Sequence, residues 1–137
     1  GDDRERLEQI ASKEGVRDRV LFVGNVSQDE LHKYYESCDI FVLPSIGEGF
    51  GIVFLEAMYH KKPCVGVKAT AVPEVISDGK TGVLCNVDDK VALEESIIKL
   101  LKDDNIRSSY GMAGFEKLQK EFTFDDFQKK LEEIICH

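Results

Sequence analysis

Asp39-Ile40-Phe41-Val42-Leu43-Pro44 is followed by Ser45-Ile46-Gly47-Glu48-Gly49-Phe50-Gly51 and then by Ile52-Val53-Phe54-Leu55-Glu56-Ala57-Met58. The first piece is a nearly continuous apolar run, as expected of a strand buried on both faces of a parallel sheet. The last suits a mostly buried helix, and a glycine-rich turn separates the two. Strand, turn and helix in that order make one βα unit, and the flanking sequence repeats it. Upstream, Arg19-Val20-Leu21-Phe22-Val23-Gly24 reads as a short strand. Ser27 with Glu30 has the form of a capping box opening a helix over residues 28–37, with Leu31, Tyr34 and Tyr35 inward. Before that, Leu7, Ile10 and Ala11 recur at helical spacing within residues 3–14, and Gly15 is a natural stop. Downstream, Pro63-Cys64-Val65-Gly66-Val67 reads as a strand, Pro73 opens a short helix through Ile76, Asp78-Gly79 turns the chain, and Gly82-Val83-Leu84-Cys85 is a last strand. From Asp88 the pattern is helical only, over residues 91–102, 106–122 with an interruption near 111–114, and 124–135. Leu93, Ile97, Leu100 and Leu101 are expected to pack on the sheet.

Repeated β-then-α units imply a doubly wound, Rossmann-like α/β fold, a parallel sheet with right-handed crossovers flanked by helices. In such sheets ligands bind at the carboxyl ends of the strands. The 137 residues, 42% hydrophobic and 32% charged, suit one globular domain over residues 1–137. Eighteen basic and 26 acidic side chains leave a net charge of −8, which repels a phosphate backbone, so nucleic acid is not an expected partner. No apolar run approaches the ~20 residues that cross a bilayer, and the start, Gly1-Asp2-Asp3-Arg4-Glu5-Arg6, lacks a signal-peptide pattern. These features point to a cytoplasmic protein. Cys38, Cys64, Cys85 and Cys136 form no CxxC pair and read as reduced, and His32, His60 and His137 are not at metal-ligand spacing to them.

The turn at residues 47–51 is the candidate site because it stands at the carboxyl end of a buried strand and leads into a helix. Its glycines allow close backbone approach, and the helix that follows aims free N–H groups and its positive dipole end at the same space, which suits a phosphate. Glu48 and Glu56 are eight residues apart, so eight steps of ~100° bring them within ~80° of one direction over at most ~12 Å. Both carboxylates can line one elongated ligand, each accepting two hydroxyl hydrogen bonds, as a sugar at one end and a ribose at the other would require. Spacing and charge equally allow Glu48 to help cap the helix and Glu56 to be a solvated face residue.

At these residues the sequence resembles the family-4 glycosyltransferases of the GT-B fold, whose signature has two glutamates separated by seven residues around a Gly-Phe-Gly turn. The resemblance extends over the chain. Residues 19–24 resemble the third strand of the family's donor domain, 35–45 its fourth strand and approach, and 63–67 its fifth. Val72-Pro73-Glu74-Val75-Ile76 and Asp78-Gly79-Lys80-Thr81-Gly82 are similar to its Pro-Glu helix and closing turn, and Phe122-Thr123-Phe124 to the start of its last helix. The resemblance implies retaining transfer of a sugar from a UDP- or GDP-linked donor to an acceptor hydroxyl, with no cofactor and no protein-bound metal. Glu48 would be the catalytic residue on the donor sugar hydroxyls. The backbone at Gly49, Phe50, Gly51 and Ile52 would lie beside sugar and phosphates, Glu56 would hold the ribose, and Asn25 and Val26 would meet the base.

Two departures from the family pattern stand out. Ala69-Thr70-Ala71-Val72-Pro73-Glu74 replaces the usual pair of glycines before Pro-Glu, and Tyr59-His60-Lys61-Lys62-Pro63 lacks the glycine that ends the helix, so either Lys61 supplies that turn or the helix ends differently. His60 and Lys62 read as dipole-favoured residues of a last helical turn. The resemblance also implies that the donor domain's first two strands, its phosphate-neutralising arginine and lysine, and the N-terminal acceptor domain are missing. The expectations are therefore a C-terminal half of a GT-B enzyme that is inactive alone and, when full length, sits peripherally at a membrane. Without the two strands, the run at Val20 must pair with the strand at Ile40 or borrow a partner, and an open edge invites self-association. The alternative is a non-catalytic nucleotide-sugar-binding or regulatory module of the same fold. A dehydrogenase reading fails for want of a G-x-G-x-x-G after an early strand.

Overall fold

The computed structural model describes residues 4–24, 26–44, 50–69 and 72–121, with only the backbone described at 50–52. The described residues fall into two compact units, divided between Lys33 and Tyr34.

The first unit opens with helix α1, Arg4–Lys13. Its end is a Schellman turn: Gly15 takes φ +75, its N–H bonds the Ser12 carbonyl at 3.1 Å, and the Val16 N–H bonds that of Ala11 at 2.9 Å. A short 3-10 helix, Arg17–Arg19, follows. The expected strand over residues 19–24 is not formed. Val20 has extended angles (φ −114, ψ 124), yet residues 20–24 join no ladder, and Leu21 is 76% exposed. Local partners engage this run instead: Arg17 donates to the Val20 carbonyl at 3.1 Å, and its guanidinium lies 5.3 Å from the centre of the Phe22 ring. Helix α2, Gln28–Ser37, matches the expected bounds, and the Glu30 N–H donates to Ser27 Oγ at 3.2 Å as the capping box requires.

In the second unit a three-stranded parallel sheet has the order β1-β2-β3, with β1 Phe41–Val42, β2 Cys64–Val67 and β3 Gly82–Cys85. Phe41 stands opposite Cys64, and Cys64 opposite Gly82, so the βα units are in register. Helix α3, Phe50–Tyr59, makes the first crossover and helix α4, Val72–Val75, the second. Helices α5, Lys90–Lys102, and α6, Asp104–Glu121, follow.

The core lies where α3, α5 and α6 meet β2 and β3. Phe54, Leu55, Ala57 and Met58 of α3 are buried, as are Cys64, Val65 and Val67 of β2 and Leu100 of α5. Leu100 packs with Val65 and Cys85, and Leu93 packs against that group from the same helix. Leu101, expected on the sheet, points outward at 51% exposure, as does Tyr34 of α2, because helical spacing puts Leu100 and Tyr35 on the inner face in their place. Helix α6 runs through Gly111 and Gly114 without the expected interruption. These glycines mark close packing: a Cβ on Gly111 would collide with the Lys61 carbonyl, and one on Gly114 would lie 3.3 Å from Met58 Cγ. Lys61 does supply the end of α3, at φ +60, with Lys61 N–H bonded to Met58 and Lys62 N–H to Ala57, each at 3.0 Å. The expected helix at 124–135 and Cys136 lie outside the described residues.

Candidate functional site

The three strands point their carboxyl ends one way, and the segments leaving those ends bound the candidate site: Pro44 after β1, Ala69 after β2 and Asn86 after β3. Pro44, Val67, Cys85, Asn86, Asp89 and Leu93 line a cavity of about 210 Å³ there. That is below the ~300–1,000 Å³ of typical ligand pockets, room for part of an elongated ligand. Asp89 is already engaged, its carboxylate accepting the Ala92 N–H at 3.0 Å as the N-cap of α5.

Glu48, Gly49 and Asn25 lie outside the described residues, as do Thr70 and Ala71. Phe50, Gly51 and Ile52 form the first turn of α3, where backbone N–H groups lack intrahelical partners. Val26 is half-buried, ahead of α2. Glu56 belongs to α3, six residues after Phe50 and so ~9 Å further along the axis. It is half-buried, one face of the helix carrying it while Phe54, Leu55, Ala57 and Met58 occupy the core.

Glu56 is half-buried beside a buried tyrosine, Tyr35, whose hydroxyl feels the Glu56 charge. Tyr35 is 6% exposed. Burial pushes its hydroxyl well above the ordinary tyrosine range, and the nearby Glu56 carboxylate pushes it further. The phenol thus stays protonated. Its ring is fixed by His60, stacked at 5.5 Å and 6°, and by Phe41 of β1 at 5.6 Å. Sequence reading placed Tyr35 on the inner face of α2 and missed its neighbour Glu56, 21 residues away on another element. The only available signal was general: a buried tyrosine hydroxyl needs an acceptor.

Several other reactive-looking side chains have structural work. Lys62 Nζ donates to the Glu36 carbonyl at 2.9 Å, satisfying the last turn of α2. Cys38, Cys64 and Cys85 are free thiols, and burial pushes the Cys38 and Cys64 thiols up, away from thiolate chemistry. Among the described residues there is no cluster of three or more His, Cys, Asp or Glu side chains able to hold a metal, and no helix long and apolar enough to cross a membrane.

Comparison with known proteins agrees with this architecture. Residues 1–117 match the family described as Glycosyl transferases group 1. The chain is 35% identical over 126 residues to N-acetyl-alpha-D-glucosaminyl L-malate synthase of Bacillus anthracis, covering 92% of this chain and 32% of that protein. It superposes on sucrose-phosphate synthase from Thermosynechococcus elongatus with a TM-score of 0.84 at 28% identity, covering 99% of this chain and 34% of that one. The C-terminal domain of a glycosyl transferase group 1 family protein from Francisella tularensis matches with a TM-score of 0.81, also at 28% identity, over 90% of this chain and 64% of that domain. The chain spans about a third of the length of the curated relatives it matches. With a parallel α/β sheet and neighbours that are GT-B glycosyltransferases, the chain belongs to the group 1 glycosyltransferases.

Proposed function

We propose that this chain is part of the C-terminal, donor-binding domain of a family-4 retaining glycosyltransferase, which moves a sugar from a UDP- or GDP-linked donor to an acceptor hydroxyl. The observation that carries the reading is the setting of Glu56. Its carboxylate stands half-buried on α3, the helix whose first turn opens at the carboxyl end of β1, with the buried Tyr35 hydroxyl nearby. A carboxylate there can accept both hydroxyls of a ribose. The free N–H groups of the first α3 turn, at Phe50, Gly51 and Ile52, favour phosphate oxygens. Glu48, two residues before α3 in sequence, takes the catalytic role at the donor sugar, with Gly49 beside it, and Asn25 and Val26 take the base. No metal or cofactor enters this scheme.

In this reading the chain alone does not catalyse transfer. The test is a thermal-shift panel of UDP, GDP, UDP-glucose and GDP-mannose on the chain and on Glu56→Ala. A ligand at 100 times its Kd adds about 2.7 kcal/mol, so one nucleotide series should raise the Tm by several degrees and Glu56→Ala should abolish the rise. If none of the four moves the Tm, the reading fails.

A further inference from the structure

The carboxyl ends of β2 and β3 and the first turn of α5 enclose the cavity of about 210 Å³, many times the ~10–15 Å³ that one water needs. Along β2 the side chains alternate between the two faces of the sheet. Gly66 faces α3 and α4, where a Cβ would press on Phe54, Val72 and Ile76, while Val65 packs on Leu100 of α5. Val67 shares the face of Val65, so the cavity lies on the α5 side of the sheet. A ligand with its ribose at Glu56 and its phosphates at the first turn of α3 points its sugar end past the start of that helix, toward Pro44, and there the far side of the sugar meets the cavity.

The cavity floor is apolar. Val67 is 3% exposed, Leu93 is half-buried, and the Pro44 ring closes one side. The Cys85 thiol is engaged by Ser96 Oγ at 3.6 Å. Polar groups stand at the rim, on the exposed Asn86 and Lys90. A sugar hydroxyl pressed onto this floor would lose its water partners and find no other. A methyl group loses none and gains from burial. A methyl carried on an amide suits both levels, since the Asn86 side chain both donates and accepts hydrogen bonds.

We propose that this cavity is the substituent pocket of the donor site and selects a transferred sugar that carries an acylamino group, such as an acetamido group, in place of a hydroxyl. Val67 and Leu93 receive the methyl, and Asn86 pairs with the amide. This rests on the donor reading above, which sets the direction in which the ligand lies.

The experiment measures calorimetric Kd values for UDP, UDP-glucose, UDP-N-acetylglucosamine and GDP-mannose on the wild type, Leu93→Phe and Asn86→Ala. UDP-glucose and UDP-N-acetylglucosamine differ only in a hydroxyl replaced by an acetamido group, so the ratio of their affinities is the readout. The wild type should prefer the acetamido sugar by about fourfold or more, the order of one buried methyl. Leu93→Phe, which fills the cavity, should bring the ratio to one or below, and Asn86→Ala should at least halve it. If neither UDP nor any of the sugar nucleotides binds, the donor reading itself fails and takes the pocket with it. If UDP binds and the wild type shows no preference for the acetamido sugar, the pocket assignment alone is overturned. Binding of GDP-mannose with neither uridine sugar overturns it as well, and so does a preference that survives in a folded Leu93→Phe. Should Leu93→Phe not fold by circular dichroism, Asn86→Ala at the exposed rim carries the test, and an unchanged ratio in it overturns the proposal.

Discussion

Residues 20–24 and residues 39–43 are two apolar runs of similar length and composition, each bounded by a turn-forming residue. One becomes the edge of a sheet and the other does not. In the second run the Phe41 and Leu43 N–H groups bond the Pro63 and Val65 carbonyls at 3.0 and 2.9 Å. In the first, the Val20 N–H returns to Arg17 at 3.3 Å, its carbonyl accepts the Arg17 guanidinium, and Leu21 stands in solvent. A strand is a pairing, not a property of a segment: β-branched side chains favour extended backbone, but the ladder exists only where a neighbour presents matching groups.

The largest break in that comparison comes from denying the sheet its close approach. In Gly82→Ala the new Cβ collides with the Cys64 carbonyl on the neighbouring strand, and backbone there cannot give way as a side chain can. A loss of about 3 kcal/mol or more is expected, seen as a lost or much earlier circular-dichroism melt of the sheet unit. A melt within a degree of wild type would mean that β2 and β3 are not paired as described.

A much smaller effect of opposite sign is expected at the end of α3. Lys61 is strained at φ +60, worth about 1–2 kcal/mol. Glycine there removes the strain, at about 0.5–1 kcal/mol of added unfolded-chain freedom and about 0.5 kcal/mol for the ammonium lost from the Phe115 ring, 5.1 Å away. Lys61→Gly should therefore change stability by between about −0.5 and +1 kcal/mol in urea titration, a small gain at the midpoint; a loss of more than about 0.5 kcal/mol would show that the lysine side chain matters more than its backbone. The smallest effect belongs to the unpaired run, where Leu21→Ser should stay within about 0.5 kcal/mol of wild type. A drop of 2 kcal/mol or more would place Leu21 in a packed environment and erase the contrast between the runs.

Much of this fold was legible in the residues. The capping pair Ser27 and Glu30, Gly15 as a stop, and the turn at Asp78 and Gly79 are local chemistry, and each sits where the sequence put it. Lys61 was legible too, because once a helix ends before a strand some residue must take the left-handed turn. Residues 20–24 were misread because their apolar pattern is that of a strand and pairing is invisible to a pattern. The glycines at 111 and 114 were misread as a break for a similar reason: in sequence a glycine signals freedom, and here it signals the nearness of Lys61 and Met58. At the candidate site, the spacing to Glu48 offered Glu56 as one end of an elongated ligand, and the structure places it half-buried on α3, whereas the nearness of Tyr35 could not be seen across 21 residues. Gly47, Glu48 and Gly49 lie outside the described residues, while Phe50 and Gly51 open α3.

Helix α3 carries Glu56 on one side while Phe54, Leu55, Ala57 and Met58 are immersed in the core on the others. Such a helix is a fixed datum. It cannot slide or rotate to suit a different ligand without disturbing four packed side chains at once. In a directed-evolution library, diversity along α3 is filtered first by foldability, and new selectivity has to be written into the surrounding loops, such as the exposed turn at Asn86 and Asp88 beyond β3.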